Sequence, residues 1–172
     1  MENMAYAVPG QPALASEYNK VVDNVNELGR GTLCRRYAST SQSIPDRSWT
    51  RVAFPTPLDS CPHVSVNASG DILTILTPGV YDIDASVRFA VNSTGARHLV
   101  IGAGTSSWQN IRYRGCSVPA AGDSFTPAAA VSRRFQEGDT VAVWVYQSSG
   151  GDLNTSPSSE IISLSVRYCG ES

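Results

Sequence analysis

The stretch Tyr81-Asp-Ile-Asp-Ala-Ser-Val-Arg-Phe-Ala-Val91 decides the fold class, because apolar and polar side chains alternate along it. In an extended strand, successive side chains point to opposite faces of the sheet. One face of this strand therefore carries the polar set Asp82, Asp84, Ser86 and Arg88, and the other carries the apolar set Tyr81, Ile83, Ala85, Val87, Phe89 and Val91. We predict a β-strand whose apolar face lies in the protein core.

The same period of two recurs along the chain after residue 30. Turn residues separate further predicted strands at 49–54, 72–76, 99–101, 111–114, 128–135, 141–146 and 161–168. The segment 148–159, rich in Gly, Ser, Asn and Pro, is predicted to be a loop. Parallel strands would need crossover helices, and no helical pattern separates these strands. The predicted fold class is all-β, an antiparallel sandwich.

A different pattern occupies residues 1–30, which we predict to be an anchor segment preceding a single domain at 31–172. Pro12 suits the first turn of a helix and Gly29 suits its end, so we predict a helix over about residues 12–28. One apolar stripe, with a mean step of about 3.5 residues, runs along it through Leu14, Tyr18, Val21, Val25 and Leu28.

A helix this short is marginal in water by itself and needs a partner. Three partners remain open from the residues alone: the chain's own β domain, further copies around a threefold axis, or a larger assembly. The apolar stripe is in each case the surface through which the helix is expected to bind.

Charge and hydropathy argue against two classes of partner. The net charge of -2 and the pI of about 5.6 offer no electrostatic reason to bind a nucleic acid. No apolar run is long enough to span a bilayer, and the opening Met1-Glu-Asn-Met4 lacks the pattern of a secretory signal. We expect a protein made in the cytoplasm that binds neither nucleic acid nor membrane.

Cys34, Cys61, Cys116 and Cys169 are spaced too widely for a zinc site, which uses pairs two to four residues apart. An even number of cysteines allows two disulfides, while maturation in a reducing cell favours four buried thiols. Both alternatives stay open at the level of the residues. No metal and no cofactor are expected.

The sequence contains none of the common catalytic motifs, so we expect no enzyme. Asp82 and Asp84 share one strand face and are the best carboxylate pair for glycoside hydrolysis, although solvated carboxylates are the simpler interpretation. His63 and His98 have no neighbouring residues typical of a ligand set. Trp108 and Tyr113 are weak candidates for a surface that binds sugars or proteins.

Four segments between residues 49 and 169 resemble the globular head of the complement q subcomponent and related tumour necrosis factor-like jelly rolls. Trp49 to Phe54 resembles that family's early strand, and Thr77-Pro-Gly-Val-Tyr81 with the residues up to Phe89 resembles its Pro-Gly-Val-Tyr strand. Gln136-Glu-Gly-Asp-Thr-Val141 resembles its Gly-Asp-x-Val step, and 162–168 its last strand.

Two shorter likenesses are to bacteriophage proteins. Asn92-Ser-Thr-Gly-Ala-Arg-His-Leu-Val-Ile101 resembles the phage and bacterial branch of this fold, and residues 8–19 are similar to N-terminal segments of phage structural proteins. The resemblance implies a ten-stranded jelly roll that forms a homotrimer through one sheet. It also implies that the first and last strands are neighbours, which would pair Cys34 with Cys169 and leave Cys61 with Cys116.

We therefore expect a bacteriophage virion protein, a trimeric projection such as a head fibre, capsid decoration or tail fibre tip. Residues 1–30 would attach it to capsid or tail proteins, and its distal loops would bind a host surface glycan or protein. One alternative is a secreted signalling ligand of the necrosis-factor type, glycosylated at Asn67, Asn92 and Asn154. Another is an enzyme that degrades an envelope polysaccharide.

Overall fold

A computed structural model describes residues 33–104, 112–119, 126–156 and 162–170, together with 19, 21 and 22. Thirteen β-strands lie within these four longer ranges. They are β1 Leu33–Tyr37, β2 Ser43–Ile44, β3 Thr50–Arg51, β4 Thr56–Pro57, β5 Val64–Val66, β6 Leu73–Ile75, β7 Gly79–Ser86, β8 Ala96–Gly102, β9 Arg112–Pro119, β10 Ala128–Phe135, β11 Thr140–Gln147, β12 Leu153–Asn154 and β13 Ser163–Gly170.

Two main sheets face each other. One has the strand order β10-β7-β13-β1-β4, and the other has the order β5-β6-β11-β8-β9 with β3 beside β11. β12 and β2 form a small ladder of their own. Every ladder between the described strands is antiparallel, which confirms the predicted all-β antiparallel sandwich.

The apolar face of β7 and of the residues after it lies in the core, as the alternation predicts. Tyr81, Ile83, Ala85, Val87 and Phe89 are all at most 2% exposed. Val91, assigned to the same face, is instead 61% exposed. The pairing of β7 ends at Ser86 and the chain bends at Val91, so the period of two no longer determines which way that side chain points.

The long predicted strands are present, with shifted ends. Residues 49–54 contribute only Thr50–Arg51 to a ladder, although Val52 and Phe54 are fully buried. The predicted loop 148–159 contains the short strand β12. Strands of two residues such as β2 and β12 carry no periodic signal, and only their partners across the fold define them.

The disulfide pairing implied by the resemblance is wrong. Cys34 is bonded to Cys61, with 4.7 Å between the two Cα atoms, and Cys116 and Cys169 are free. β1 and β13 are indeed neighbours, but Cys34 lies opposite Val166 and faces the core. Cys169 lies three residues further along β13, and its exposed side chain leaves the sheet on the other face. Four buried thiols are excluded as well.

The predicted anchor helix over 12–28 falls almost entirely outside the described residues. Asn19, Val21 and Val22 have helical backbone geometry, and all three are exposed. Of the stripe, Leu14, Tyr18, Val25 and Leu28 lie outside the described residues. No helix in the described part of the chain has the length and apolarity that a membrane span requires.

Candidate functional site

The surface of the five-stranded sheet that points away from the core is one candidate contact surface, and we call it the open face. The strands β10, β7, β13 and β1 contribute to it in three rows defined by their register. These rows are Ser132, Asp82, Arg167 and Leu33; Ala130, Asp84, Ser165 and Arg35; and Ala128, Ser86, Ser163 and Tyr37.

Small side chains make the open face shallow. Half of the residues in the three rows are alanine or serine, and shallow depressions lie between β7 and β10, beside Asp82, Asp84 and Ala130. Around Asp84 and Ala130, where the neighbouring side chains are small, another surface can approach closely. This part of the open face therefore suits contact with a macromolecule.

Asp82 is the most closely bonded acidic group of the open face. A hydrogen bond from Ser132 lowers the pKa of its carboxyl, and a second bond from Cys169 and the charge of Arg167 act in the same direction. The Cys169 thiol donates to Oδ2 of Asp82 at 3.3 Å. Burial raises the pKa of Cys169, and the adjacent Asp82 raises it further, so the thiol stays protonated at neutral pH.

The carboxylate pair proposed from sequence is therefore exposed on an open sheet surface. Asp82 and Asp84 both project from β7 toward solvent, with no enclosed cleft around them in the described part of the chain. Glycosidases place their two carboxyl groups on either side of a bound sugar. Among the described residues, no three His, Cys, Asp or Glu side chains lie close enough together to hold a metal ion.

The structure places the remaining candidates apart from one another. His63 is nearly buried, stacks on Tyr168 with 4.3 Å between ring centroids and bonds to Thr77. Trp108 lies outside the described residues. Tyr113 belongs to β9, but its side chain lies outside the description as well.

A second surface, missed from sequence, lies on the outward face of the six-stranded sheet. Trp49, His98 and Tyr146 form a ring cluster with centroid distances of 6.0 Å for Trp49–His98, 5.4 Å for Trp49–Tyr146 and 5.3 Å for His98–Tyr146. All three side chains are half-buried. The residues are almost 50 positions apart in sequence, so only the pairing of β11 with its neighbours brings them together.

Comparison with solved structures identifies the fold. The chain is similar to Eiger TNF from S. frugiperda, with a TM-score of 0.64 and 12% identity over 81% of this chain and 93% of that chain. It is also similar to murine APRIL at pH 5.0, with a TM-score of 0.62 and 15% identity over 79% of this chain and 97% of that chain. A second structure of murine APRIL, at pH 8.0, gives a TM-score of 0.61 and 17% identity.

The fold is a tumour necrosis factor-like jelly roll. No protein-family model and no curated protein matches the sequence. Likeness at this low identity establishes the jelly roll alone, because one fold carries many functions. The function must therefore be argued from the two surfaces of this jelly roll.

Proposed function

We propose that this chain is a structural protein of a bacteriophage particle, a homotrimeric projection without catalytic activity. The open face would form the contact between copies, and residues 1–30 would attach the trimer to capsid or tail proteins. The observation that carries the proposal is the open face, half of whose row residues are alanine or serine, on a jelly roll whose fold is similar to that of Eiger and APRIL.

The distribution of charge on the open face supports contact between copies. Asp82 and Asp84 make β7 acidic, while Arg167 makes the neighbouring strand β13 basic. Arg35 on β1 is already paired with Asp59 of the same chain at 2.6 Å. In a ring of copies related by rotation, the acidic strand of one copy can meet the basic strand of the next. Complementary charges of this kind contribute mainly to specificity of association.

The assignment to a virion rests on the two short sequence likenesses, residues 8–19 and 92–101, and on the apolar stripe of the predicted anchor helix. A head fibre, a capsid decoration and a tail fibre tip each need two parts: an attachment segment buried in the particle and a self-contained domain that projects into solvent.

Sedimentation equilibrium tests the association. We expect a mass of three times the 18.3 kDa of one chain. Ala130→Arg places a long cation in the middle of the open face and should produce monomers. The control Ala68→Arg makes the same change at an exposed position between β5 and β6 and should leave the trimer intact. A wild-type monomer at micromolar concentration would refute the association.

Co-sedimentation with phage particles tests the attachment. The double variant Leu14→Asp and Val25→Asp puts charges into the apolar stripe, so the protein should stay in the supernatant of purified particles. The wild-type protein should sediment with them and be located on the particle by immunogold labelling. Sedimentation of both proteins alike would show that the stripe is not the anchor.

A secreted ligand of the necrosis-factor type is the second candidate, favoured by the fold that the chain shares with Eiger and APRIL. This candidate predicts glycans on the acceptor residues Asn67, Asn92 and Asn154. The intact mass of the natively produced protein separates the two candidates. Polysaccharide degradation, the third candidate, predicts shortened envelope polymer after incubation and loss of that activity in Asp82→Asn.

A further inference from the structure

Three loops at one end of the sandwich are joined into a single unit. The loops comprise residues 45–48, 92–95 and 148–151. Arg47 N–H donates to the Gln147 carbonyl at 2.8 Å, and Gly150 N–H donates to Oδ1 of Asp46 at 2.9 Å. Ala96 N–H donates to Oγ of Ser148 at 2.9 Å. These bonds fix the three loops relative to one another.

Buried polar side chains hold the same loops from below. Arg97 is 1% exposed, and its guanidinium donates to the carbonyls of Asn92, Thr94 and Ala96 at 3.0–3.1 Å. Gln147 is fully buried, and its amide donates to the carbonyls of Ile44 and Gly151. Burying such groups is costly unless they are fully bonded, so both residues make the loop conformation specific.

The ring cluster lies directly beside these loops. Trp49 follows the first loop, His98 follows the second, and Tyr146 precedes the third. In the next row of the same face, the Arg51 guanidinium lies 5.5 Å from the centroid of the Trp144 ring and pairs with Asp71 at 3.1 Å. The outward face thus presents aromatic rings next to a rigid polar margin.

The backbone beside the cluster is held in an uncommon conformation. Arg47 has a φ of 53°, the one positive value among the non-glycine residues that the structure describes. Such a conformation costs free energy and persists only where the surroundings enforce it. Here the bond from Arg47 N–H to Gln147 enforces it, two residues before Trp49.

The two surface arginines beside the cluster are each paired with an aspartate, which favours an uncharged ligand. Arg47 lies 3.7 Å from Asp46, and Arg51 is paired with Asp71. Burial lowers the pKa of His98, so its ring is uncharged at neutral pH. The cluster therefore offers apolar ring surface together with imidazole and phenol groups that can form hydrogen bonds, and the surface arginines beside it are already paired with aspartates.

From these observations we infer that Trp49, His98 and Tyr146, with the adjoining loops, form a binding site for a neutral saccharide. A hexopyranose has one face of C–H bonds, which stacks on aromatic rings, and a rim of hydroxyl groups, which bonds to polar atoms. A site of preordered rings and loops binds such a ligand with a smaller ordering cost than a flexible site would. The inference rests on the proposed function, since it locates the adhesive surface of the projection.

Isothermal titration of the full-length protein tests the inference, with maltohexaose, cellohexaose and N-acetyl-chitohexaose as probes. We expect saturable binding of at least one probe. Trp49→Ala and Tyr146→Ala should each weaken it by about tenfold or more, the effect of removing an aromatic anchor from a binding site. Trp49→Tyr should restore part of the affinity. The control Leu76→Ala removes an exposed apolar side chain that belongs to neither surface and should leave the affinity unchanged.

Binding to none of the three probes would overturn the inference, as would an affinity that is the same in wild type, Trp49→Ala and Tyr146→Ala. Circular dichroism of each variant must match wild type, and His98→Ala provides a further test should one variant fail to fold. Sedimentation of the same samples keeps the two proposals separate. A trimer without saccharide binding refutes this site alone, whereas a monomer that binds saccharide refutes the trimeric projection alone.

Discussion

Breaking the bond between Cys34 and Cys61 should cost the protein a large part of its stability. The bond joins β1 to the segment before β5 and closes a loop between residues 27 positions apart. Closing a loop of this length removes roughly 12 cal/mol/K of entropy from the unfolded chain, which corresponds to about 3.5 kcal/mol at 25 °C. Cys34 is 3% exposed and lies within the core, and Cys61 packs against that core. The native fold therefore already holds the two residues together.

Cys61→Ser is the sharpest perturbation, because it opens the bond and leaves the buried Cys34 unchanged. For a domain of this size each kcal/mol shifts Tm by about 2–4 °C. The expected loss of about 3.5 kcal/mol therefore corresponds to a Tm lower by about 7–14 °C in calorimetry. Wild type measured with dithiothreitol should fall to the level of the variant, and dithiothreitol should not lower the variant any further.

Cys169→Ser is the matched control. It also removes one thiol, but a thiol that is exposed and outside the bond, and serine can still donate to Asp82. Its Tm should stay close to that of wild type and should fall in dithiothreitol as wild type does. All samples need equal protein concentration, since association makes Tm concentration-dependent. An unchanged Tm in Cys61→Ser would refute the reasoning.

Three further sites give stability predictions that urea denaturation can check. Gly95→Ala should destabilise strongly, by about 3 kcal/mol or more, because a Cβ at Gly95 would lie 1.8 Å from the Ser148 carbonyl oxygen. Gly150→Ala also adds a side chain at positive φ, but into open space, and should cost only about 1 kcal/mol. Tyr81→Phe should cost about 1–3 kcal/mol, because the buried hydroxyl donates to the Thr77 carbonyl at 2.6 Å. Burial raises the pKa of Tyr81 from 10.0 to about 12, so its contribution to stability is complete below pH 10 and is lost as the pH rises toward 12.

The sequence predicts those parts of the fold where one strand is long enough to repeat its pattern. β7 runs for eight residues, and its alternation reveals both the strand and its buried face. β11 is as long, but its continuous apolar run reveals the strand and not its buried face. Val91 marks the limit, since it continues the pattern past the end of the ladder and is nevertheless exposed. Two-residue strands such as β2 escape prediction because their partners, and not their own composition, define them.

The candidate sites were less predictable because both depend on register between distant strands. The cysteine pairing depends on register in the same way. β1 and β13 are neighbours as expected, but Cys34 lies opposite Val166, and the side chain of Cys169 points to the other face of the sheet. The ring cluster likewise joins Trp49 to His98 and Tyr146, residues that the sequence presents as separate strand positions. The prediction of a binding surface at Trp108 and Tyr113 rests only on the presence of two aromatic residues near a loop.

The two proposed surfaces lie on opposite sides of the sandwich, which makes them compatible. The open face belongs to the sheet of β7 and β13, whereas the ring cluster lies on the outward face of the sheet of β8 and β11. Association through the first would leave the second directed away from the contact between copies. A trimer would then carry three saccharide sites, and a repetitive surface polymer would engage them together. Multiple attachment strengthens binding by about 10²–10⁴ without any new contact, so weak individual sites would suffice for adhesion.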